Sequence, residues 1–146
     1  MSFKTLLIIS MLFLMVGSAN ADSGREVVVT ALSGTVEYQK TGRGGWLPLA
    51  KGEELHQYDV IRTAGESTCT LLFKGMSDAS VEMRPKSKLE LSTVADTLSG
   101  DDTRLELSIG SVLIKAESLR GDSSFEVKTP NSIVGIRGTE FEVSVD

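Results

Sequence analysis

The chain of 146 residues holds one cysteine, one histidine, one tryptophan and three prolines. A single Cys excludes an internal disulfide framework and a cysteine-rich metal site. A single His leaves little for a zinc centre or a Ser-His-Asp triad to use. Basic charge is also scarce, with 15 Lys+Arg against 20 Asp+Glu and a formal net charge of -5. Nucleic acid is therefore a poor partner, since its binders carry a basic face. Only one long apolar run occurs, at the N-terminus, so nothing further along approaches membrane-spanning length. What is present, 40% hydrophobic and 24% charged residues, describes a folding chain of single-domain size. Composition points away from an enzyme before any motif is read.

Residues 1–21 read as a secretory signal peptide. Lys4 supplies the positive start, Leu6 to Gly17 is apolar but for Ser10, and Ala19-Asn20-Ala21 forms an A-x-A cleavage site. The apolar core is too short to cross ~30 Å of hydrocarbon at ~1.5 Å per residue. No Cys follows it, which excludes a lipoprotein anchor. Cleavage after Ala21 predicts a mature domain of residues 22–146, periplasmic or secreted, without a membrane span. Intact-mass measurement of the exported protein checks this, and retention of Met1 refutes it.

Short runs of alternating apolar and polar residues, rich in Val, Ile and Thr and cut by glycines, fill the mature chain. Period two with β-branched residues is the strand signature. The pattern predicts strands over 27–32, 35–39, 58–63, 68–73, 79–84, 88–91, 103–109, 111–115, 124–128, 132–136 and 140–145. Val94–Leu98 has room for one helical turn at most. The fold class is all-β, with short strands and Gly-rich turns, either β-solenoid-like or sandwich-like. Two segments resemble each other, Leu32-Ser33-Gly34-Thr35-Val36 and Ser108-Ile109-Gly110-Ser111-Val112. Both place Gly two residues ahead of a Val that opens an alternating strand, as stacked coils require at their corners. Charges at Glu106, Lys115, Glu117, Glu126, Lys128, Glu140 and Glu142 alternate with apolar neighbours, which reads as a solvated sheet face.

Candidates for chemistry are few. His56 stands without a second His and reads as a surface imidazole. Asp101-Asp102 lacks the spacing of a calcium loop and reads as a turn former. Gly42-Arg43-Gly44-Gly45 lacks a P-loop pattern. Trp46 either anchors this hairpin loop to the core through Leu47 and Leu49 or contacts a sugar. Cys69 shares parity with Leu71 and Phe73 and reads as a small buried hydrophobe, with an intermolecular disulfide or a reactive thiol as the alternative.

The stretch from Phe125 to Val143, FEVKTPNSIVGIRGTEFEV, resembles the closing motif of the FecR domain, roughly F-x-V-x-T-P, then R-G-T-x-F-x-V. The matching positions are Thr129, Pro130, Arg137, Gly138, Thr139, Phe141 and Val143. Upstream, Gly34 and Val36, Trp46 and Leu49, Gly52, and Asp59, Ile61 and Thr63 are similar to the family's earlier segments. Ser77-Asp78-Ala79-Ser80 departs from the family's D-G-S, and Tyr58 replaces a common Gly. The likeness runs from about Val27 to Val145. In the residues themselves, Thr129-Pro130 ends a strand by removing a donor and fixing φ. Arg137 reads as a structural fork reaching carbonyls at a corner, with a ligand contact as the alternative. Phe141, Val143 and Val145 share one parity for burial.

The resemblance implies an exported β domain of the bacterial envelope. In its best-known members this domain belongs to a protein that relays an iron-uptake signal from an outer-membrane receptor to a sigma factor. This chain has no cytoplasmic arm for that relay. The expectation is a non-enzymatic module without a cofactor or metal. It would bind another envelope protein or a cell-surface polymer, with links to surface signalling or iron-uptake regulation. The rival expectation is a carrier of carbohydrate or another small ligand.

Overall fold

A computed structural model describes residues 24–75 and 77–146. The signal peptide and its cleavage site lie outside the described residues. Twelve strands occur among them: β1 Val27–Ser33, β2 Val36–Gln39, β3 Leu47–Pro48, β4 Glu54–Leu55, β5 Val60–Thr63, β6 Thr68–Phe73, β7 Ala79–Met83, β8 Lys88–Asp96, β9 Asp101–Ala116, β10 Ser124–Lys128, β11 Ile133–Gly135 and β12 Thr139–Val145. A 3₁₀ turn over Lys40–Gly42 is the one helical element among the described residues. The all-β expectation holds. Val94 to Asp96, left open above for a helical turn, instead extends β8 and pairs with the start of β9.

The strands follow one hydrogen-bonded path, β3-β2-β5-β8-β9-β7-β6-β1-β4, with β10 and β12 added beside β9 and β11 beside β10. Strand β9 carries this arrangement because its two halves have different neighbours. Its first half pairs antiparallel with β8 and parallel with β10. Its second half pairs with β7 and β12, both antiparallel. The sequence pattern cut this strand in two at Gly110, where the structure keeps it whole but changes its parity. Leu105 and Leu107 are buried before the glycine, Val112 and Ile114 after it. An uninterrupted strand has period two, so odd and even residues cannot both face one core. Gly110 at φ 89° inserts the offset. The halves then bury Leu105, Leu107, Val112 and Ile114 in one cluster with Phe73, Leu71, Leu89 and Phe125.

The likeness between the Gly34 and Gly110 segments has a structural counterpart. Each glycine has positive φ and backs onto a buried serine, Ser67 or Ser87. A Cβ on Gly34 would stand 2.3 Å from Ser67 Oγ, and one on Gly110 would stand 2.2 Å from Ser87 Oγ. In each case the next backbone N–H donates to that oxygen, Thr35 to Ser67 at 2.9 Å and Ser111 to Ser87 at 3.0 Å. Each serine follows a turn residue of positive φ, Glu66 or Lys86. Asp101 N–H donates likewise to Ser123 Oγ at 2.9 Å, after Gly100. These hydroxyls satisfy donors that the bent strand turns away from its ladder.

Asp101, read from the sequence as a turn former, instead opens β9 with its side chain buried. It is 2% exposed and faces Arg25, itself 1% exposed in its side chain, across 3.8 Å. Arg25 also donates to the carbonyls of Lys74 (3.0 Å), Phe73 (3.1 Å) and Ser77, and to Thr103 Oγ1 at 2.7 Å. Its guanidinium lies 5.7 Å from the Phe73 ring centroid. Asp101 in turn accepts the Ser77 N–H at 2.9 Å. Burial holds the Arg25 pKa below its ordinary value, opposed mainly by the charge of Asp101. This clasp ties residue 25 to the β6–β7 turn and to the start of β9.

Cys69 is buried and free, as its parity predicted. Burial pushes its thiol up to about 12. The folded pKa lies above the ordinary 9.0, so the neutral thiol's contribution to stability is complete below that value. It is lost as pH rises toward about 12. A thiol reagent at pH 8 is expected to leave the native protein unmodified and to label Cys69 on unfolding in urea. Rapid labelling of the native protein would overturn this burial.

Candidate functional site

The motif positions separate into those that hold the fold and those that face solvent. Asp59 is 3% exposed. Its carboxylate accepts Thr41 N–H and His56 N–H, each at 2.9 Å, and so locks the 3₁₀ turn to the β4–β5 turn. Thr63 Oγ1 donates to the Arg84 carbonyl at 2.7 Å and accepts Ser87 N–H at 3.0 Å. Thr129 Oγ1 accepts Ser132 N–H at 3.1 Å and closes the β10–β11 turn around exposed Pro130. Val36, Ile61 and Val143 belong to the core. Gly34 sits at the serine-backed corner already described, Gly52 in an exposed turn. Thr139 opens β12 opposite Ala116.

Arg137 and Phe141 behave differently. Arg137 is exposed, where the sequence reading had it gripping carbonyls at a corner. Phe141 is 41% exposed, although Val143 on the same parity is 7% exposed. Both lie on the flank where β10 and β12 are laid against β9 and β11 against β10. The 117–123 connection crosses from the end of β9 to the start of β10, and a concavity of about 590 Å³ opens beside it. Phe125 and Ile136, each 1% exposed, form its floor. Ser118, Ser123, Glu126 and Arg137 line its walls. The floor is held firmly, since Phe125 meets Phe73 edge-to-face at 5.9 Å. Glu126 is engaged by Arg104 at 3.1 Å, and Ser124 Oγ donates to Asp102 at 2.8 Å. That leaves the Arg137 guanidinium as the accessible cation of this wall among the described residues.

The other sequence candidates lie elsewhere. His56 is 56% exposed, lies 3.8 Å from Glu54 and does not line the concavity. Trp46 is half-buried, and Arg62 stands 3.9 Å from its ring centroid with Lys88 at 5.9 Å. Arg62 is held there by Glu37 at 3.0 Å. One face of the Trp46 ring is thus occupied by a cation. Of the two leucines expected to anchor this loop, Leu49 is buried and Leu47 is 44% exposed. No group of three or more metal-ligating side chains occurs among the described residues.

Sequence reasoning missed Arg25 and the serines at 67, 87 and 123. The charged pair Arg25-Glu26 directly ahead of the Val27-Val28-Val29 run was the available signal for the first. For Ser67 and Ser87 it was the shared order of turn residue, serine and alternating strand after Glu66 and Lys86.

Gly138 at φ 89° connects this flank to β12, and a Cβ there would meet Ser118 Cα at 3.5 Å. Space is adequate, but the conformation strains a β-branched residue by ~1–3 kcal/mol. Trp46→Ala loses partial burial and an exposed cation–π contact of ~0.5–1 kcal/mol. Gly138→Val is expected to lower the urea midpoint more than Trp46→Ala does. The reverse order would make the Trp46 loop part of the core.

The architecture is therefore that of an all-β module in which the exposed Arg137 and Phe141 lie together on the flank beyond β9. Residues 59–146, more than half of the chain, match the family described as FecR protein. The chain belongs to the FecR family. The match begins at Asp59, so Gly34, Val36, Trp46 and Gly52 lie outside it. No curated protein and no solved structure shows significant similarity to the chain. Among the described residues no helix is long and apolar enough to cross a membrane.

Proposed function

We propose that this protein is an exported, non-enzymatic interaction module of the bacterial envelope, acting by binding another envelope protein in surface signalling or its regulation. The observation that carries this reading is the division of the family motif. Asp59, Thr63, Thr129 and Val143 are accounted for by folding, whereas Arg137 and Phe141 stand exposed on one flank. Exposed cationic and aromatic side chains on a supported surface are what protein interfaces use. The concavity offers a firm apolar floor and a guanidinium. It has no imidazole to activate a serine, which favours binding over hydrolysis. The rival carbohydrate reading depends on Trp46, and Arg62 occupies one face of that ring. Within the all-β class, the repeated glycine–serine corner favours a coil-like, solenoid-related descent over a sandwich.

The test is chemical cross-linking in intact envelopes with the wild-type protein and an Arg137→Ala/Phe141→Ala variant as baits. One envelope protein captured by the wild type and lost by a folded variant supports the reading. Glycan-array binding that depends on Trp46, with no protein captured, would replace it with the carbohydrate alternative.

A further inference from the structure

We infer that β12 is a docking strand, taking an extended segment of the partner in which basic and apolar residues alternate. The inference rests on the interaction reading above and names the chemistry of the partner. The edges of the two sheet halves are β3, β11, β4 and β12. The first three are two or three residues long, and β3 contains Pro48, so each is blunted by shortness or by a missing donor. Strand β12 is seven residues long, contains no proline or lysine, and pairs only with β9 among the described residues. Along its outer side a row of backbone N–H and C=O groups has no ladder partner among the described residues. Such a row is the template for strand addition.

The side chains specify the occupant. On the core-facing side, Phe141 is 41% exposed although it shares its face with buried Val143, so the apolar layer continues uncovered to the rim. On the other side stand Glu140 and Glu142, both exposed. Lys115 reaches Glu140 at 3.7 Å. Glu142 has Leu113 opposite it, and Glu82 beyond that is occupied by Arg84.

A second copy of the chain is a poor occupant. Antiparallel pairing of β12 with itself that keeps Phe141, Val143 and Val145 on one face sets Glu142 against Glu142, Glu140 against Glu142, or Glu140 against Asp146. Like charges directly opposite are destabilising. A segment with Lys or Arg at alternate positions meets these acids favourably, while its apolar residues extend the layer ending at Phe141.

Hydrogen exchange of the free protein comes first. Alternate amides within 139–145 are expected to exchange fast and slow, and uniform protection would mean that the edge is already covered. The probes are acetylated, amidated octapeptides of alternating Lys and Val and of alternating Glu and Val. The basic peptide is expected to protect the fast amides of β12, more weakly as salt rises. Glu140→Lys/Glu142→Lys, checked for an unchanged circular dichroism spectrum, is expected to weaken its binding about tenfold or more. The inference is overturned if both peptides bind equally, if protection falls on the 117–123 connection instead, or if the protein dimerises through β12. A cross-linked envelope partner retained by the Glu140→Lys/Glu142→Lys variant would refute the docking strand while leaving the interaction reading intact. Edge protection by the peptide with no envelope partner captured would do the opposite.

Discussion

Arg25→Met is expected to destabilise the protein by about 3–5 kcal/mol, the cost of leaving a buried charge without its partner. Against a domain stability of about 5–15 kcal/mol, that is a large fraction. Asp101, 2% exposed, would remain with one backbone donor, the Ser77 N–H. The carbonyls of Phe73, Lys74 and Ser77 would lose the guanidinium as well. Asp101→Asn keeps an acceptor for Ser77 N–H and removes the charge. The double variant is therefore expected to be more stable than Arg25→Met alone, by about 1–3 kcal/mol of coupling. Urea unfolding of the four proteins measures this. Coupling near zero would mean that Arg25 acts through its carbonyl contacts and packing rather than through Asp101.

Gly110→Ala is expected to cost about 2–4 kcal/mol, combining left-handed strain with overpacking. The new Cβ would stand 2.5 Å from Ser87 Cα and 2.7 Å from the Lys86 carbonyl, backbone atoms that do not move aside cheaply. Gly44 is the control, because its φ is 77° and nothing lies within 4 Å of its would-be Cβ. Gly44→Ala carries the strain without the contact and is expected to cost about 1 kcal/mol. Equal urea midpoints for the two variants would remove the close approach from the explanation. A larger loss at Gly110 would show that the strand's change of parity depends on the Ser87 corner.

The all-β class was legible because a half-buried strand writes its two faces into the sequence as period two. In β6, Cys69, Leu71 and Phe73 are buried and Thr68, Thr70 and Leu72 are not. The division at Gly110 was legible for the same reason, since the parity of apolar residues changes across it. Thr129-Pro130, Gly138 and Asp59 were legible as motif positions because a turn that needs a particular φ or acceptor tolerates few residue types. Local physics of this kind acts over a few residues, and the order of residues records it.

The remainder was decided by contacts between residues far apart in the chain. Whether the two runs around Gly110 form two strands or one depends on Ser87 and Lys86 lying against the glycine. Asp101 resembles any acid in a Ser-Gly-Asp-Asp turn until Arg25, Phe73 and Ser77 close around it. Arg137 and Phe141 belong to the same motif as Val143, yet only the placement of β10 and β12 beside β9, with β11 beyond β10, leaves them exposed. Period and turn chemistry are properties of a segment, so the sequence by itself determined the strands and their faces. Burial of a charge and exposure of a sheet edge are properties of which segments meet, and only the tertiary structure decided those.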